Sequence, residues 1–320
     1  MFEDIFRCIE ANDTITIFRH IRPDGDAYGS QFGLASYIRY RYPEKKVYCV
    51  GSNEGRNSGL FPKADVVTDE LIASSLAISV DTSTKDRVDD QRMFLAKVTC
   101  KIDHHDSSEP YADYEVVLPH QASCAEVIVK MISEVEDASR IPQETAKYLY
   151  SGIISDTQDF SITSASYESL YLASLLAKTG INLSNIHYLV NRQTSAVFRL
   201  TSAFRNRMQF TDNHIGYAYC DKALMDEFGV EYNDCKDLVN QFGIISDVEI
   251  WVLFIEDYMD HPGQFNASLR SRGAIVNEIA SYHGGGGHKQ AAGTKAMPFE
   301  ETVELLEECD KEVTRYMNSL

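Results

Sequence analysis

TITIFRHIRPDGDAYGS, residues 14–30, contains the strand, the loop and the helix start on which the fold prediction depends. Its first part, TITIFRH (14–20), is typical of a buried strand. The apolar periodicity that follows predicts a helix from Tyr28 to Tyr40, with Asp26 as its cap. The loop needs its proline and its glycine to turn. It does not need the imidazole and the two carboxylates that it also contains, which are His20, Asp24 and Asp26.

Strand-like and helix-like segments alternate through the rest of the first half. Further strands are predicted at 45–51, 75–81 and 97–105, and helices at 122–136, 142–155 and 165–179. This alternation predicts a parallel sheet covered by helices. Ligands of such sheets bind just beyond the carboxyl ends of the strands, so the residues that follow each strand become candidates for function.

The second half begins with helical sequence over 184–210 and has no glycine between residues 181 and 215. A flexible linker is therefore not expected there. Strands are predicted at 214–220, 248–257 and 264–272, followed by a helix near 273–282, a glycine run and a terminal helix near 299–317.

Composition limits the class of protein and its partners. A length of 320 residues is typical of two domains, and a formal net charge of −18 disfavours binding to long nucleic acid. Seven cysteines without a C-x-x-C pair, and a start that lacks the pattern of a signal peptide, predict a reduced, cytoplasmic setting. The longest apolar run, IWVLFI at 250–255, is too short to span a bilayer, so no membrane partner is expected.

Acidic and imidazole residues follow four segments of the first half. Besides the opening loop they are Asp81 after SLAISVD, Asp103-His104-His105 at the end of KVTCKIDHH, and Asp156 in GIISDTQDF. Each residue alone is typical of a turn or a cap. Gathered at one sheet edge, carboxylates about 4 Å apart repel by about 4 kcal/mol per pair at an effective dielectric of about 20. Two divalent ions would neutralise four of them, and carboxylates with imidazoles suit Mn²⁺ or Mg²⁺.

The order and spacing of these motifs resemble the DHH phosphoesterase superfamily. The matching elements are H-x-x-x-D-x-D at 20–26, the strand-end Asp81, D-H-H at 103–105 and S-D-T at 155–157. GGGGHKQAAG (284–293) is similar to the glycine-rich motif of the accompanying DHHA1 domain. Over nearly the whole chain the pattern is most similar to the nanoRNase and pAp phosphatase branch, the NrnA-type oligoribonucleases.

The resemblance implies an α/β fold in three parts. They are an N-terminal parallel-sheet DHH catalytic domain with helices on both faces (1–185), a helical connector (186–210), and a smaller α/β DHHA1 substrate-binding domain (211–320). It also implies two divalent metal ions, with Mn²⁺ favoured and Mg²⁺ as the alternative.

The resemblance also implies a role for each residue of the metal site. The implied ligands of one ion are His20 and Asp24, those of the other are Asp26, His104 and Asp156, and the bridging residue is Asp81. Asp103 would orient the histidines by accepting an imidazole N–H. His105 would face the substrate as a catalytic residue.

Residues 261–295 form a locally basic stretch in an acidic chain. Its local net charge is +3, because it contains four basic residues and one acidic residue. They are Arg270, Arg272, Lys289 and Lys295, and Glu278. Glycines let backbone N–H groups turn toward an anion, and a guanidinium matches phosphate oxygens. The alternative interpretations are that the glycine run is only a flexible connection and that the arginines are only solvated surface residues. The resemblance favours substrate binding by this stretch, and Arg270 is the stronger candidate of the two arginines. The predicted substrate-binding residues are Arg270, Ser271, Arg272, Gly285, Gly286, Gly287 and His288.

The implied function is metal-dependent hydrolysis of short oligoribonucleotides and dinucleotides, such as pGpG and pApA, to mononucleotides, and of pAp to AMP. Cyclic-dinucleotide phosphodiesterases and single-strand-specific exonucleases of the same superfamily are the alternatives. A non-catalytic nucleotide-binding protein is the alternative from another class. Family members often carry Gly-Arg after S-D-T, where this chain has Gln158-Asp159, which bears on substrate preference. The oligomeric state stays open, with a homodimer as one option.

Overall fold

The computed structural model describes residues 2–53, 58–105, 110–162 and 164–320. The chain divides into two compact units, and the boundary falls between Arg192 and Gln193. This boundary lies inside the predicted connector. The finer division into 1–185, 186–210 and 211–320 stays a prediction.

The first unit alternates strands and helices. Its strands are β1 (Thr14–Phe18), β2 (Lys46–Cys49), β3 (Leu76–Val80), β4 (Val98–Asp103) and β5 (Tyr114–Val117). Its helices are α1 (Glu3–Ala11), α2 (Gly25–Arg41), α3 (Asp69–Ala73), α4 (Cys124–Ser133), α5 (Gln143–Asp156), α6 (Tyr167–Ala177) and α7 (Leu183–Asn191).

The strands of the first unit form one parallel sheet in the order β2-β1-β3-β4-β5. β1 and β3 are buried along almost their whole length, which is typical of central strands in a parallel sheet. The predicted parallel α/β architecture is confirmed. β5 is missing from the predicted strands because it has only four residues and most of them are partly exposed.

The two faces of this sheet pack against different layers. Ile15 and Ile17 of β1 belong to the large core that contains α2, α4 and α5, whereas Phe18 belongs to a smaller cluster with Ile72 of α3 and Met93. Alternate residues of a strand point to opposite faces, so both faces are covered. The strand ends are left as the surface where a site is expected.

α2 and α5 approach closely because two glycines lie at their crossing. A Cβ atom on Gly29 would lie 2.6 Å from the Tyr148 carbonyl oxygen, and one on Gly152 would lie 2.7 Å from Asp26 Oδ1. Glycine allows this approach because it has no side chain. The crossing therefore sets the first turn of α2, with Asp26, beside the last turns of α5, which end at Asp156.

The second unit is built around a mixed sheet. Its strands are β6 (Gln209–Phe210), β7 (Ile215–Cys220), β8 (Ile250–Glu256), β9 (Gln264–Ser271), β10 (Gly286–His288), β11 (Ala291–Gly293) and β12 (Met297–Pro298). Its helices are α8 (Ser195–Arg207), α9 (Lys222–Phe228), α10 (Tyr232–Cys235), α11 (Asn277–Tyr282) and α12 (Phe299–Met317).

The strands of the second unit run in the order β10-β11-β9-β8-β7-β6, and β12 also pairs with β9. β7 and β8 are parallel, and the other pairs are antiparallel. The glycine run is therefore not merely a flexible connection, because its second half forms the start of β10, which pairs with β11 in a tight hairpin. The three central strands predicted for this half are confirmed.

Two predicted helices of the second half differ from the structure. The segment 184–210 is helical as predicted up to Arg207, in two helices separated by the extended chain at Arg192 and the cap Thr194, but its last two residues form β6. The helix predicted from residue 273 begins at Asn277. No helix in the described part of the chain is both long and apolar enough to cross a bilayer.

Candidate metal centre and substrate-binding face

The site residues of the first unit lie at the carboxyl edge of its sheet. His20 follows β1, Asp81 follows β3 directly, and Asp103 is the last residue of β4. Asp81 has a φ of 50°, so the chain turns out of the sheet at this residue. Helix ends supply further carboxylates, because Asp24 precedes α2 and α5 ends at Asp156.

The described residues form three groups of possible ligands at this edge. His20, Asp24 and Asp81 form the first, and the third, which overlaps it, consists of Asp81, His104 and His105. His20 Nε2 lies 3.4 Å from Asp81 Oδ2 and 3.7 Å from Asp24 Oδ2. His20 and Asp81 are buried, whereas about half of the Asp24 side chain is exposed. Each residue offers a ligand atom within 4.8 Å of the other two.

Asp26, His104 and Asp156 form the second group, again with ligand atoms within 4.8 Å of one another. His104 Nε2 lies 3.5 Å from Asp156 Oδ2 and 3.4 Å from Asp81 Oδ1. Asp81 thus contacts both groups, with one carboxylate oxygen on each. The structure brings together all six predicted ligands in the grouping that the resemblance implied, and their role as ligands stays a prediction.

Backbone carbonyls orient the two buried imidazoles. His20 Nδ1 lies 2.8 Å from the Ile21 carbonyl oxygen, and His104 Nδ1 lies 3.2 Å from that of Gln121. A carbonyl only accepts hydrogen bonds, so each Nδ1 carries the proton. Nε2 of each ring is then the atom that faces the carboxylates, which is the arrangement of metal-binding histidines. These carbonyls are backbone groups, so no side-chain pattern in the sequence pointed to them.

The predicted cap of α2 is wrong, because Asp24 caps this helix instead of Asp26. Asp24 Oδ1 accepts hydrogen bonds from the N–H groups of Asp26 and Ala27, both at 3.0 Å. The buried Asp26 carboxylate instead accepts from the N–H groups of Cys124 (2.6 Å) and Ala125 (3.0 Å) at the start of α4. Both aspartates suit a cap by local sequence, and only the distant contact with α4 separates them. Carboxylate oxygens have two lone pairs each, so Asp26 can still bind a metal ion.

Asp103 is fully buried and orients one of the two neighbouring imidazoles. Its Oδ1 accepts hydrogen bonds from His105 Nδ1–H and from the backbone N–H of His104, both at 2.9 Å. The His104 ring is held by Gln121, so Asp103 orients only His105. His105 Nδ1 lies 3.6 Å from Asp81 Oδ1, and 27% of its side chain is exposed. His105 therefore lies between the carboxylates and solvent.

The site carboxylates differ in the direction of their pKa shifts, because burial and repulsion raise the pKa of two of them and imidazole contacts lower that of Asp81. Burial and the charge of Asp81 raise the pKa of Asp26 well above its ordinary value, and burial and the charge of Asp26 do the same for Asp156. Burial acts in this direction on Asp81 too, but contacts with His104 and His20 hold its pKa far below the usual range. The site therefore concentrates more negative charge than its own imidazoles neutralise.

The residues present fit divalent metal ions. Asp81 Oδ1 and His104 Nε2 are buried and accept or donate no hydrogen bond within the described chain. Such an unsatisfied polar atom costs about 1–3 kcal/mol, and a cation would satisfy both atoms together. Carboxylate oxygens with two imidazoles form a donor set that Mn²⁺ or Mg²⁺ accepts.

In the second unit, strand register places Arg270 and His288 on one face of the sheet. Arg270 pairs with Ala291, and Ala291 pairs with His288, so the three form one row across β9, β11 and β10. Directly paired residues of antiparallel strands share a face. The next row of this face consists of small residues, Ser268, Gly293 and Gly286. We call these two rows the hairpin face.

The glycines of the hairpin differ in what surrounds them. A Cβ atom on Gly285 would lie 2.0 Å from the Gly293 carbonyl oxygen, and one on Gly287 would lie 2.5 Å from that of Ala291. Both residues must be glycine for β10 to approach β11. A Cβ atom on Gly286 would meet no atom within 4 Å. Gly286 is therefore not required by the packing of the hairpin.

The three predicted substrate residues at the end of β9 have different surroundings. The half-buried Arg270 donates from Nε to Asn240 Oδ1 and from Nη1 to its neighbour's carbonyl, both at 2.9 Å. Ser271, on the opposite face, donates to the Ala274 carbonyl. β9 ends at Ser271, so Arg272 lies outside the strand. Its guanidinium donates to three backbone carbonyls, those of Gly243, Ile245 and Val248.

Gln158 and Asp159, which stand where family members often carry Gly-Arg, form an unusual turn shortly after Asp156. Residues 158–160 all have positive φ values, between 45° and 63°. This conformation costs about 1–2 kcal/mol for each residue other than glycine. The Asp159 carboxylate holds the turn through His187 Nδ1 at 2.7 Å and Asn191 Nδ2 at 2.8 Å, both on α7.

Sequence reasoning missed Lys101, which is fully buried within β4. Its Nζ lies 3.4 Å from Asp103 Oδ2. A lysine inside a buried strand, two positions before an aspartate and hence on the same face, was the available signal.

Family comparison agrees with this geometry. Residues 14–153 match the DHH family N-terminal domain, and residues 212–318 match the DHHA1 domain. This pairing defines a class of two-domain hydrolases that act on phosphoester bonds. A bifunctional oligoribonuclease and PAP phosphatase NrnA of Bacillus subtilis (strain 168) is 31% identical over 96% of both chains. The chain belongs to the DHH family.

Two solved structures share this fold. An exopolyphosphatase-related protein from Bacteroides fragilis superposes with a TM-score of 0.88 at 24% identity, over 99% of this chain and 97% of the other. RecJ in complex with Mn²⁺ from Thermus thermophilus superposes with a TM-score of 0.52 at 12% identity, over 98% of this chain and 54% of the other.

Proposed function

We propose that this protein hydrolyses short oligoribonucleotides and dinucleotides to mononucleotides, and pAp to AMP, with two divalent metal ions. The observation that carries this proposal is the pair of carboxylate–imidazole groups joined by Asp81. The name of the Bacillus subtilis relative supports the two substrate classes.

His20, Asp24 and Asp81 would hold one ion, and Asp26, Asp81, His104 and Asp156 would hold the other. Such ions would activate a water for attack on phosphorus and would stabilise the attacking and leaving oxygens. The protein supplies the charge balance: four carboxylates offset four positive charges. Mn²⁺ is the favoured ion, since it accepts both imidazole and carboxylate.

His105 is the residue placed to handle a proton during P–O cleavage. Hydrolysis adds water across the bond, so the leaving alcohol gains a hydrogen and the phosphate gains an oxygen. Asp103 holds His105 through Nδ1–H, so Nε2 is the atom that would accept the proton released by the attacking water and pass it to the leaving oxygen. Asp103 thereby serves as the residue that sets the ring orientation.

The hairpin face would bind the terminal phosphate or base of the substrate. Arg270 offers a guanidinium fork held by Asn240, and His288 lies in the same row. The floor of small residues leaves room for a planar base or a phosphate. Arg272 and Ser271 hold neighbouring loops, so their contribution would be to support this face.

The net charge of −18 favours a short substrate over a long one, since long nucleic acids bind through many phosphate contacts with basic surfaces. A cyclic-dinucleotide phosphodiesterase is the candidate closest in chemistry. A non-catalytic nucleotide-binding protein would lack a reason to keep all six predicted ligands.

The test compares four substrates with the purified full chain and Mn²⁺: pApA, pGpG, cyclic di-AMP and pAp. We expect mononucleotides from both linear dinucleotides, AMP and inorganic phosphate from pAp, and much slower cleavage of the cyclic substrate. Faster cleavage of the cyclic substrate would move the assignment to a cyclic-dinucleotide phosphodiesterase. Tight binding of all four without products would identify a binding protein.

A further inference from the structure

We infer that Lys101 is a positioning residue that acts on His105 through Asp103. This inference deepens the proposed function and rests on it for the role of His105. The arrangement is a linear chain of contacts from a fully buried ammonium, through a fully buried carboxylate, to a partly exposed imidazole.

The surroundings of Lys101 hold its ammonium in one place. Nζ donates to the Ser83 carbonyl oxygen at 2.9 Å and lies 4.7 Å from the centre of the Tyr111 ring. Its third contact is Asp103 Oδ2 at 3.4 Å. Lys101 and Asp103 are two positions apart on β4, so the strand itself puts both on one face.

The two oxygens of Asp103 have separate tasks. Oδ2 receives no hydrogen bond within the described chain, so its contact with Nζ is an ion pair. Oδ1 accepts from His105 Nδ1–H and from the His104 N–H. With Oδ2 held by the ammonium, the carboxylate cannot rotate away from His105.

The charge balance at the carboxyl edge also requires a positive charge at the position of Lys101. Among the described residues, the carboxyl edge contains five carboxylates, namely the four predicted metal ligands Asp24, Asp26, Asp81 and Asp156, and the buried Asp103. Two divalent ions neutralise those four, and the fifth, Asp103, is then left without a counter-ion. An unpaired buried carboxylate is strongly destabilising, and the Lys101 ammonium supplies the missing positive charge.

The experiment replaces Lys101 with methionine, which keeps its length and removes its charge. Lys45→Met is the matched control, because the Lys45 ammonium is also largely buried and donates to the carbonyl oxygens of Glu10 and Asn12, beside the start of β2. The activity probe is bis(p-nitrophenyl) phosphate with Mn²⁺, which reports phosphodiester cleavage whatever the natural substrate is. The second readout, independent of activity, is the tautomer of His105 in the metal-free protein, measured by long-range ¹H–¹⁵N NMR.

We expect K101M to lower kcat by about 10- to 100-fold with little change in KM, the usual cost of losing an outer partner of a metal site. K45M should change kcat less than about twofold, within the small effects typical of substitutions remote from a site. The His105 ring should be the Nδ1–H tautomer in the wild type and a mixture in K101M. K101M/H105A should be no slower than H105A, since both act at one step.

Equal activity of K101M and K45M, multiplying losses in K101M/H105A, or an unchanged His105 tautomer would each overturn the inference. If K101M does not fold, K101M/D103N decides, because removing both charges of a buried pair is far less costly than removing one. Because Lys101 acts only through Asp103, that double variant should have the same His105 tautomer and kcat as D103N alone, and a further change would overturn the inference. If the wild type cleaves no phosphodiester, the proposed function fails, while the tautomer measurement still tests the contact chain.

Discussion

The carboxyl edge of the first sheet and the hairpin face of the second sheet place functional side chains by opposite means. At the carboxyl edge, charged residues from distant parts of the chain lie together, and hydrogen bonds with backbone groups hold His20, Asp26 and His104. On the hairpin face, register alone aligns Arg270 and His288 over small residues. In the first region the carboxylates repel one another, and a bound cation would reduce that repulsion. The second region is an open surface.

This difference predicts how each region responds to substitution. A change at the carboxyl edge should act on metal binding and on the rate of the chemical step. A change on the hairpin face should act on substrate binding, unless it prevents β10 from closing on β11. Four experiments test this contrast.

The largest effect is expected for Asp81→Asn, because Asp81 contacts both carboxylate–imidazole groups. Losing one charge of a shared ligand should lower kcat by about 10³-fold, equivalent to about 4 kcal/mol of transition-state stabilisation. Calorimetric titration with Mn²⁺ should show weaker binding and fewer bound ions. Wild-type metal stoichiometry and rate in a folded Asp81→Asn protein would refute the bridging role.

Arg270→Ala should raise KM for pApA by about 10- to 100-fold, since hydrogen bonds to charged groups contribute about 1.5–3 kcal/mol. Its kcat should change little. Arg272→Ala is the comparison, because that guanidinium holds three backbone carbonyls. It should lower the melting temperature more than it changes KM. The reverse pattern would exchange the roles of the two arginines.

Gly285→Ala and Gly286→Ala separate packing from binding within the hairpin. Gly285→Ala forces a methyl group against the Gly293 carbonyl and should cost about 1–3 kcal/mol in the free energy of unfolding. Gly286→Ala meets no neighbouring atom, so its stability should stay within about 0.5 kcal/mol of the wild type. Its KM should rise, because the methyl group occupies the hairpin face. Urea unfolding and steady-state kinetics measure the two effects.

The smallest effect expected is the pH dependence of stability in the metal-free protein. The pKa values of Asp26 and Asp156 are raised in the folded state, so above their ordinary value of 3.8 the folded state binds more protons than the unfolded one. The raised pKa values of His20 and His104, where carboxylate contacts outweigh burial, act in the same direction. The free energy of unfolding should therefore rise by about 1–2 kcal/mol from pH 8 to pH 5.5.

Urea titrations in chelator and in excess Mn²⁺ measure this trend. With Mn²⁺ present the slope should reverse, because protons then compete with the metal for the same ligands. The lowered pKa of Asp81 opposes the trend only below its ordinary value, outside this range. Stability that rises with pH in chelator would show that the cluster is not strained by its own charge.

The sequence determined the parallel sheet and the identity of the clustered residues. Alternating strand and helix patterns define a parallel sheet, and parallel strands bring their carboxyl ends to one edge, so the residues after β1, β3 and β4 had to meet. The D-H-H triplet and the glycine-rich motif then identified the family. Local information sufficed because strand order and spacing fix where these side chains go.

Only the tertiary structure decided how each of those residues is used. Asp26 fits a helix cap by its local sequence, yet its carboxylate binds the start of α4, 98 positions away. Lys101 is one cation among many in the sequence, and burial beside Asp103 gives it a partner. Hydrogen bonds between distant segments depend on packing, which no local pattern encodes. For that reason the membership of the site was predictable from the sequence, and the contacts that orient it were not.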